Sequence, residues 1–244
     1  MKRLIGLVIF WGSSIGLLAQ TNDSYDYNSE FNWGINKNSY GGLIGGVMFK
    51  KARRLNDKFF ETYGLELMNV KNPHETRIQS LSGNFFIWGK TNYLYAIRLQ
   101  YGRDRILFKK GPQQGVEVKA VFAAGPTIGL VTPYYVQISN DPNSYYTYNV
   151  PYNGQQQYTD IQGTGNLFEG LGQSKVQLGG NLKAAINFEL GTTKSQVTGF
   201  EAGFLLDAYF KKVPLMSFGT GNPPVENYAI YPTVFLTIFY GSRK

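Results

Sequence analysis

Cysteine is missing from this 244-residue chain, histidine occurs once, and Asp, Glu, Lys and Arg together make up only 16% of it, against ~25% in ordinary soluble domains. Without cysteine there is no disulfide and no lipid-bearing N-terminal thiol. One histidine and no Asp/Glu cluster at ligand spacing give no basis for a metal or a cofactor. Glycine loops of the phosphate-cradling kind are absent, and no motif selects a catalytic residue. Beyond residue 18 no run approaches the ~20 apolar residues of a membrane-spanning helix, which excludes a helical membrane protein.

What is present is aromatic and glycine-rich: 18 Tyr, 17 Phe and 29 Gly. So much aromatic and β-branched side chain excludes a disordered chain. The formal charge of +8 raises the question of nucleic acid. Met1-Lys2-Arg3, the apolar Leu4 to Leu18 and the Ala19-Gln20 junction answer it, because a basic start, a short apolar middle and a small residue make a secretory signal peptide. Residues 1–19 are expected to be removed, which takes two of the 24 basic residues and leaves +6. Export argues against nucleic acid as a partner, and no basic stripe with interleaved aromatics revives it.

The mature chain alternates with a period of two. Tyr93, Tyr95, Ile97, Leu99 and Tyr101 share one parity, as do Val176, Leu178, Leu182, Ala184, Ile186, Phe188 and Leu190. A strand puts each set on one face, whereas a helix would scatter it. Eight strands are expected, near 29–37, 40–50, 58–70, 92–108, 115–131, 174–190, 197–210 and 229–241, with the phase of the second blurred by its glycines. Glycines 41, 42, 45 and 46 read as close packing or curvature. An eleven-residue strand rises about 36 Å and, tilted by ~40°, crosses roughly 28 Å, the height of an outer-membrane apolar band. The connections after strands two, four and six are short, and those after three, five and seven long, as in outer-membrane barrels with periplasmic turns and external loops. The expected fold is therefore all-β, an antiparallel transmembrane β-barrel of eight strands over 29–241, with residues 20–28 a short periplasmic segment and both termini periplasmic.

Parity also sorts the charges. Glu66, Arg98, Glu117, Lys119, Lys183, Glu189, Glu201 and Asp207 fall on the inward face, and eight strands enclose room for side chains only, so these are expected to pair as a plug and not to line a pore. A basic rim is expected on the periplasmic side: Lys50, Lys51, Arg53, Arg54, Arg103, Arg105, Lys109 and Lys110, joined by Lys58, Lys194, Arg243 and Lys244 and opposed by Asp57 and Asp104. It suits the anionic headgroups of outer-membrane lipids, or an acidic periplasmic partner. His74, within Asn72-Pro73-His74-Glu75-Thr76, reads as a turn residue. An acyltransferase or protease reading rests on this residue alone, with Ser80 and Ser82 near it. The tract from Thr132 to Gly172, rich in Tyr, Asn, Gln and Gly, reads as a solvated loop, with a partner-contacting surface as its rival.

The Leu17-Leu18-Ala19-Gln20 junction, the segment Leu182-Lys183-Ala184-Ala185-Ile186-Asn187-Phe188-Glu189-Leu190-Gly191 and the strand-like end from Tyr231 to Gly241 resemble small outer-membrane barrels of the kind common in Bacteroidota. The resemblance implies a non-enzymatic subunit of an envelope complex, such as a secretion apparatus, or a surface-interaction protein. A soluble periplasmic carrier of lipocalin type is the remaining alternative, and it would need polar outward faces.

Overall fold

The computed structural model describes residues 27–110, 115–139, 146–166, 168–190, 195–217 and 226–244. The proposed signal peptide lies outside the described residues. Eight long strands form a closed antiparallel barrel in the order β1-β13-β12-β11-β7-β6-β3-β2. They are β1 (Ser29–Asn38), β2 (Gly42–Arg54), β3 (Phe59–Val70), β6 (Asn92–Phe108), β7 (Glu117–Pro133), β11 (Lys175–Glu189), β12 (Gln196–Tyr209) and β13 (Ile230–Arg243). Neighbours in the chain are neighbours in the wall, and β1 pairs with β13 to close it, Ile35 opposite Ile238. Five short strands occupy the long connections: β4 (Thr76–Gln79) and β5 (Phe85–Trp88) between β3 and β6, and β8 (Tyr135–Ile138), β9 (Tyr148–Pro151) and β10 (Ile161–Thr164) between β7 and β11.

Each of the eight long strands overlaps its expected range. β2 runs four residues further than expected and β13 two further, and both extensions carry charge. No helix among the described residues is long and apolar enough to cross a membrane; the chain crosses with strands.

The wall is apolar outside, and inside it mixes charged and polar side chains with buried apolar clusters such as Val121, Ala185, Leu205 and Phe235. Trp33, Leu67, Leu99, Phe122, Leu182, Phe204 and Ile238 all point outward, Phe204 with 69% of its surface exposed. Leaving such a belt in water would forgo roughly 1.5–3 kcal/mol per large side chain, so lipid is the medium that accommodates it. This overturns the lipocalin alternative, in which the apolar face would line the cavity. Tyr63, Tyr101 and Tyr240 toward the short turns, and Tyr93 and Tyr95 toward the long loops, stand where the aromatic girdles of a membrane barrel belong.

Glycine permits the strands to close tightly. A Cβ on Gly46 would run into the Leu67 carbonyl and the Met68 side chain, and one on Gly203 would lie 2.5 Å from Ala185 Cβ. Gly41, expected within a strand, instead lies in the turn between β1 and β2.

The tract expected to be a solvated loop folds. β8 pairs with β9 on one side and β10 on the other, and β4 pairs with β5 as a hairpin. Between them Phe86, Tyr134, Val136, Tyr152 and Ile161 form a buried cluster. The tyrosines read as polar in sequence, but each ring carries enough apolar area to build a core when its hydroxyl finds a partner. Tyr134 Oη accepts from the Ile87 amide at 3.1 Å and lies 3.1 Å from Thr164 Oγ1.

Candidate functional site: lumen, cap and basic rim

The interior is filled by an ion-pair ladder. Nearest the long loops, Arg98 on β6 donates Nε to Asp207 at 3.0 Å and Nη1 to Glu66 at 3.1 Å. Lys183 on β11 sits 2.7 Å from Glu66 and 2.7 Å from Glu201. Lys50 on β2 continues the chain, 3.3 Å from Glu201 and 2.7 Å from Asp104. Thr127 and Asn187 donate to the carboxylates of Asp207 and Glu201. A second group closes the short-turn end: Lys119 lies 3.0 Å from Glu117 and 3.1 Å from Glu30, and Arg243 bonds Glu30 and Glu189.

Tyr27 forms the floor beneath this second group. Its hydroxyl donates to Glu117 at 2.9 Å, its ring stacks on Phe60, and the Arg243 guanidinium lies 3.9 Å from its centroid. Burial drives the Tyr27 phenol well above its ordinary range, so it stays protonated and donates.

Each of these charges would be costly to hold unpaired in a protein interior, and here each has an opposite charge beside it. The space among Met48, Lys50, Thr62, Glu66, Gln100 and Lys183 measures about 10 Å3, about one water at most. Among the described residues, the paired side chains fill this part of the barrel.

The structure brings Glu66, Arg98, Glu117, Lys119, Lys183, Glu189, Glu201 and Asp207 together inside the barrel, each at most 5% exposed. It adds Tyr27, Glu30, Lys50, Asp104 and Arg243, which sequence reasoning did not place there. Asp104 has the even parity of Arg98 and Gln100 and could have been read from it. Lys50 shares the parity of Met48, but the glycines of β2 conceal the phase. Arg243 is two residues beyond the expected end of β13, where the strand alternation in fact continues.

Two members of the expected rim are therefore corrected. Lys50 is a lumen residue because its side chain points the same way as Met48 and is held by two carboxylates; Arg243 is another, with Glu30 and Glu189 as partners. Asp104 likewise belongs to Lys50 in the lumen and does not oppose the rim. Lys51, Arg53, Arg103 and Arg105 do face outward on β2 and β6. Arg54 is half-buried and paired with Asp57 at 2.6 Å in the β2–β3 turn. Lys109 and Lys110 follow the end of β6, Lys58 lies in the β2–β3 turn and Lys244 ends the chain. Lys194 lies outside the described residues.

At the opposite end the β4–β5 hairpin and the β8–β10 sheet pack on each other and form a cap of the long loops. Lys90, 1% exposed, ties it down: Nζ lies 2.7 Å from Glu75 and 4.4 Å from the Tyr93 ring centroid. Burial lowers the Lys90 ammonium below its usual range, with Glu75 opposing the shift. Lys90 also bridges to Met216 in the β12–β13 connection, so three connections are joined. Trp88 and Tyr158 stay on the surface of the cap, their ring centroids 6.2 Å apart.

His74 belongs to the same end. Its Nε2 lies 3.2 Å from Tyr228 Oη and its ring stacks on that tyrosine. Ser80 Oγ and Ser82 Oγ lie 2.8 Å apart, and they lie 3.0 Å and 2.6 Å from the Gln162 carbonyl oxygen, which the hydroxyl not donating to its neighbour can bond. Neither serine is joined to His74, so the enzyme reading loses the nucleophile and base contact it required. Among the described residues there is no group of three or more His, Cys, Asp or Glu able to hold a metal.

Wall, lumen and loop distribution define a class: a small, eight-stranded outer-membrane β-barrel in contact with membrane lipid. No family model and no curated protein matches the chain. Among solved structures it is similar to Ail, the attachment invasion locus protein of Yersinia pestis, with a TM-score of 0.39 and 9% identity over 90% of this chain and 99% of that one. The same protein in complex with the heparin analogue sucrose octasulfate gives a TM-score of 0.37 and 7% identity over 89% and 97%. The expected likeness to barrels of Bacteroidota is corrected: both of these structures are of a Yersinia pestis protein. The export junction and alternating aromatic strands that suggested the Bacteroidota type are features shared by small outer-membrane barrels in general.

Proposed function

We propose that this barrel is a rigid membrane anchor for its cap, and that the cap is the working surface, either of a surface-interaction protein or of an accessory subunit in an envelope complex. The observation that carries the reading is the folding of the long loops: they form two small sheets around an aromatic core, with Trp88 and Tyr158 left on the outside. A closed lumen leaves conduction without a route, and a rigid aromatic surface gives contact area at low entropy cost.

In this reading residues 1–19 are removed on export, residues 20–28 lead from the periplasm into β1, and the short turns and both termini are periplasmic. N-terminal sequencing of the membrane-embedded protein is expected to begin at Gln20.

The test is affinity purification from native membranes with the native chain and with a Trp88→Ala/Tyr158→Ala variant. A stoichiometric partner held by the native chain and lost from the variant supports the reading. Equal recovery from both chains, or ion conductance by the purified native protein in planar bilayers, overturns it.

A further inference from the structure

The charges on the outer wall are not distributed evenly around the barrel. At outward-facing strand positions β7, β11, β12 and β13 carry no charged residue, and β1 carries only Lys37, near its loop end. Toward the short turns, by contrast, three adjacent strands carry Lys51 and Arg53 on β2, Glu61 on β3, and Arg103 and Arg105 on β6.

The register places them side by side. Arg53 pairs with Glu61, which pairs with Arg103 across the next strand. One step toward the membrane centre the row is Lys51, Tyr63 and Tyr101, and one step away Phe59 faces Arg105. Neighbouring strands are ~4.8 Å apart and same-face residues ~7 Å apart along a strand, so the four cations originate within about 10 Å of one another across the strands and about 14 Å along them.

Glu61 does not neutralise the patch. It accepts from Tyr101 Oη at 2.7 Å and lies 3.8 Å from an Arg103 nitrogen, so it orders the girdle tyrosine and one arginine. The Arg103 and Arg105 guanidiniums lie 5.8 Å and 5.9 Å from the ring centroids of Tyr101 and Phe59. The flank therefore presents four cations to one carboxylate, immediately below the aromatic girdle, where phospholipid phosphates stand.

We infer that the β2–β3–β6 flank is a binding site for anionic phospholipid headgroups of the inner leaflet. A general attraction to the leaflet would be served by cations anywhere around the wall; among the described residues, those at outward-facing strand positions toward the short turns stand on three adjacent strands, which makes a local site. The acyl chains lie along Phe49, Leu65 and Leu99, which continue the same three strands toward the membrane centre, while the phosphate meets the arginines. The inference rests on outer-membrane placement with the short turns facing the periplasm, and it does not depend on what the cap binds.

The full chain, purified in detergent, is exchanged into micelles containing equal amounts of phosphatidylglycerol and phosphatidylcholine, and bound lipid is identified by native mass spectrometry. The native chain is expected to retain several-fold more phosphatidylglycerol, with a preference that weakens as salt rises. Arg53→Gln/Arg103→Gln/Arg105→Gln is expected to bring that preference down to near parity, while Lys37→Gln leaves it unchanged. Heat-modifiable mobility on gels reports that each variant is folded. Should the triple variant not fold, Lys51→Gln/Arg53→Gln, confined to one strand, is expected to show a partial loss. Equal retention of the two lipids by the native chain, or an unchanged preference in a folded variant, overturns the proposal. Displacement of the lipid by inorganic phosphate but not by chloride at matched ionic strength also overturns it, by showing a site for a free anion.

Discussion

Lys183 shows how tightly the interior is specified. Its ammonium serves Glu66 and Glu201 at once, and those carboxylates are shared in turn with Arg98 and Lys50. Lys183→Met leaves two buried carboxylates facing a hydrocarbon chain, and a loss of about 3–5 kcal/mol is expected from breaking such a pair on one side. The urea midpoint for loss of heat-modifiable mobility is the measurement, and an unchanged midpoint would show that the ladder adds no stability. Glycines are tested in the same way. Gly203→Val drives a branched side chain into Ala184 and Ala185 across β11 and is expected to block assembly. Gly180→Ala, whose nearest neighbour would be the Gly125 carbonyl at 3.6 Å, is expected to assemble normally. The two yields in the outer-membrane fraction are compared directly.

Among the elements, the barrel strands and the cap sheets differ in how they were signalled. β11 could be read directly, because Leu182, Ile186 and Phe188 face lipid while Asn181, Lys183 and Asn187 face the lumen. β2 could not, since a strand with Gly42, Gly45 and Gly46 offers too few side chains to reveal its phase. Lys50 consequently reads as part of the periplasmic rim, whereas Asp104 and Glu201 hold it in the lumen. The cap strands are four residues each, too short for a periodic signal, and their core is assembled from segments about 75 residues apart, Phe86 against Ile161. Tyr134 is at its centre. Tyr134→Ala is expected to cost the cap about 3–5 kcal/mol and to expose the segment between β7 and β11 to limited proteolysis, while the barrel keeps its heat-modifiable mobility. Simultaneous loss of barrel and cap would show that the two do not fold as separable units.

For the molecule as a whole, the closed interior and the asymmetric exterior assign different roles to the two surfaces. The lumen, with alternating acids and bases at 2.7 to 3.3 Å along the ladder, is a structural filling. No step conductance above background is therefore expected from the native protein in planar bilayers, and a reproducible channel would contradict the closed lumen. The exterior has an apolar belt, a cap and one basic flank. Sequence alone determined the belt and most of the filling, because both are consequences of a two-residue period: whatever alternates in a strand is divided between lipid and lumen. It pointed to eight strands as well, through eight alternating segments separated by turns, and closure in the structure fixed that number. What the tertiary structure decided are the relations between strands. Register alone sets Arg53, Glu61 and Arg103 in one row, closure brings Lys50 to Glu201 and Arg243 to Glu189, and packing makes a cap from loops that are merely polar and aromatic when read in order. Each of these depends on which residues from distant parts of the chain become neighbours, and pairing across strands is a property of the closed wall that no local pattern encodes.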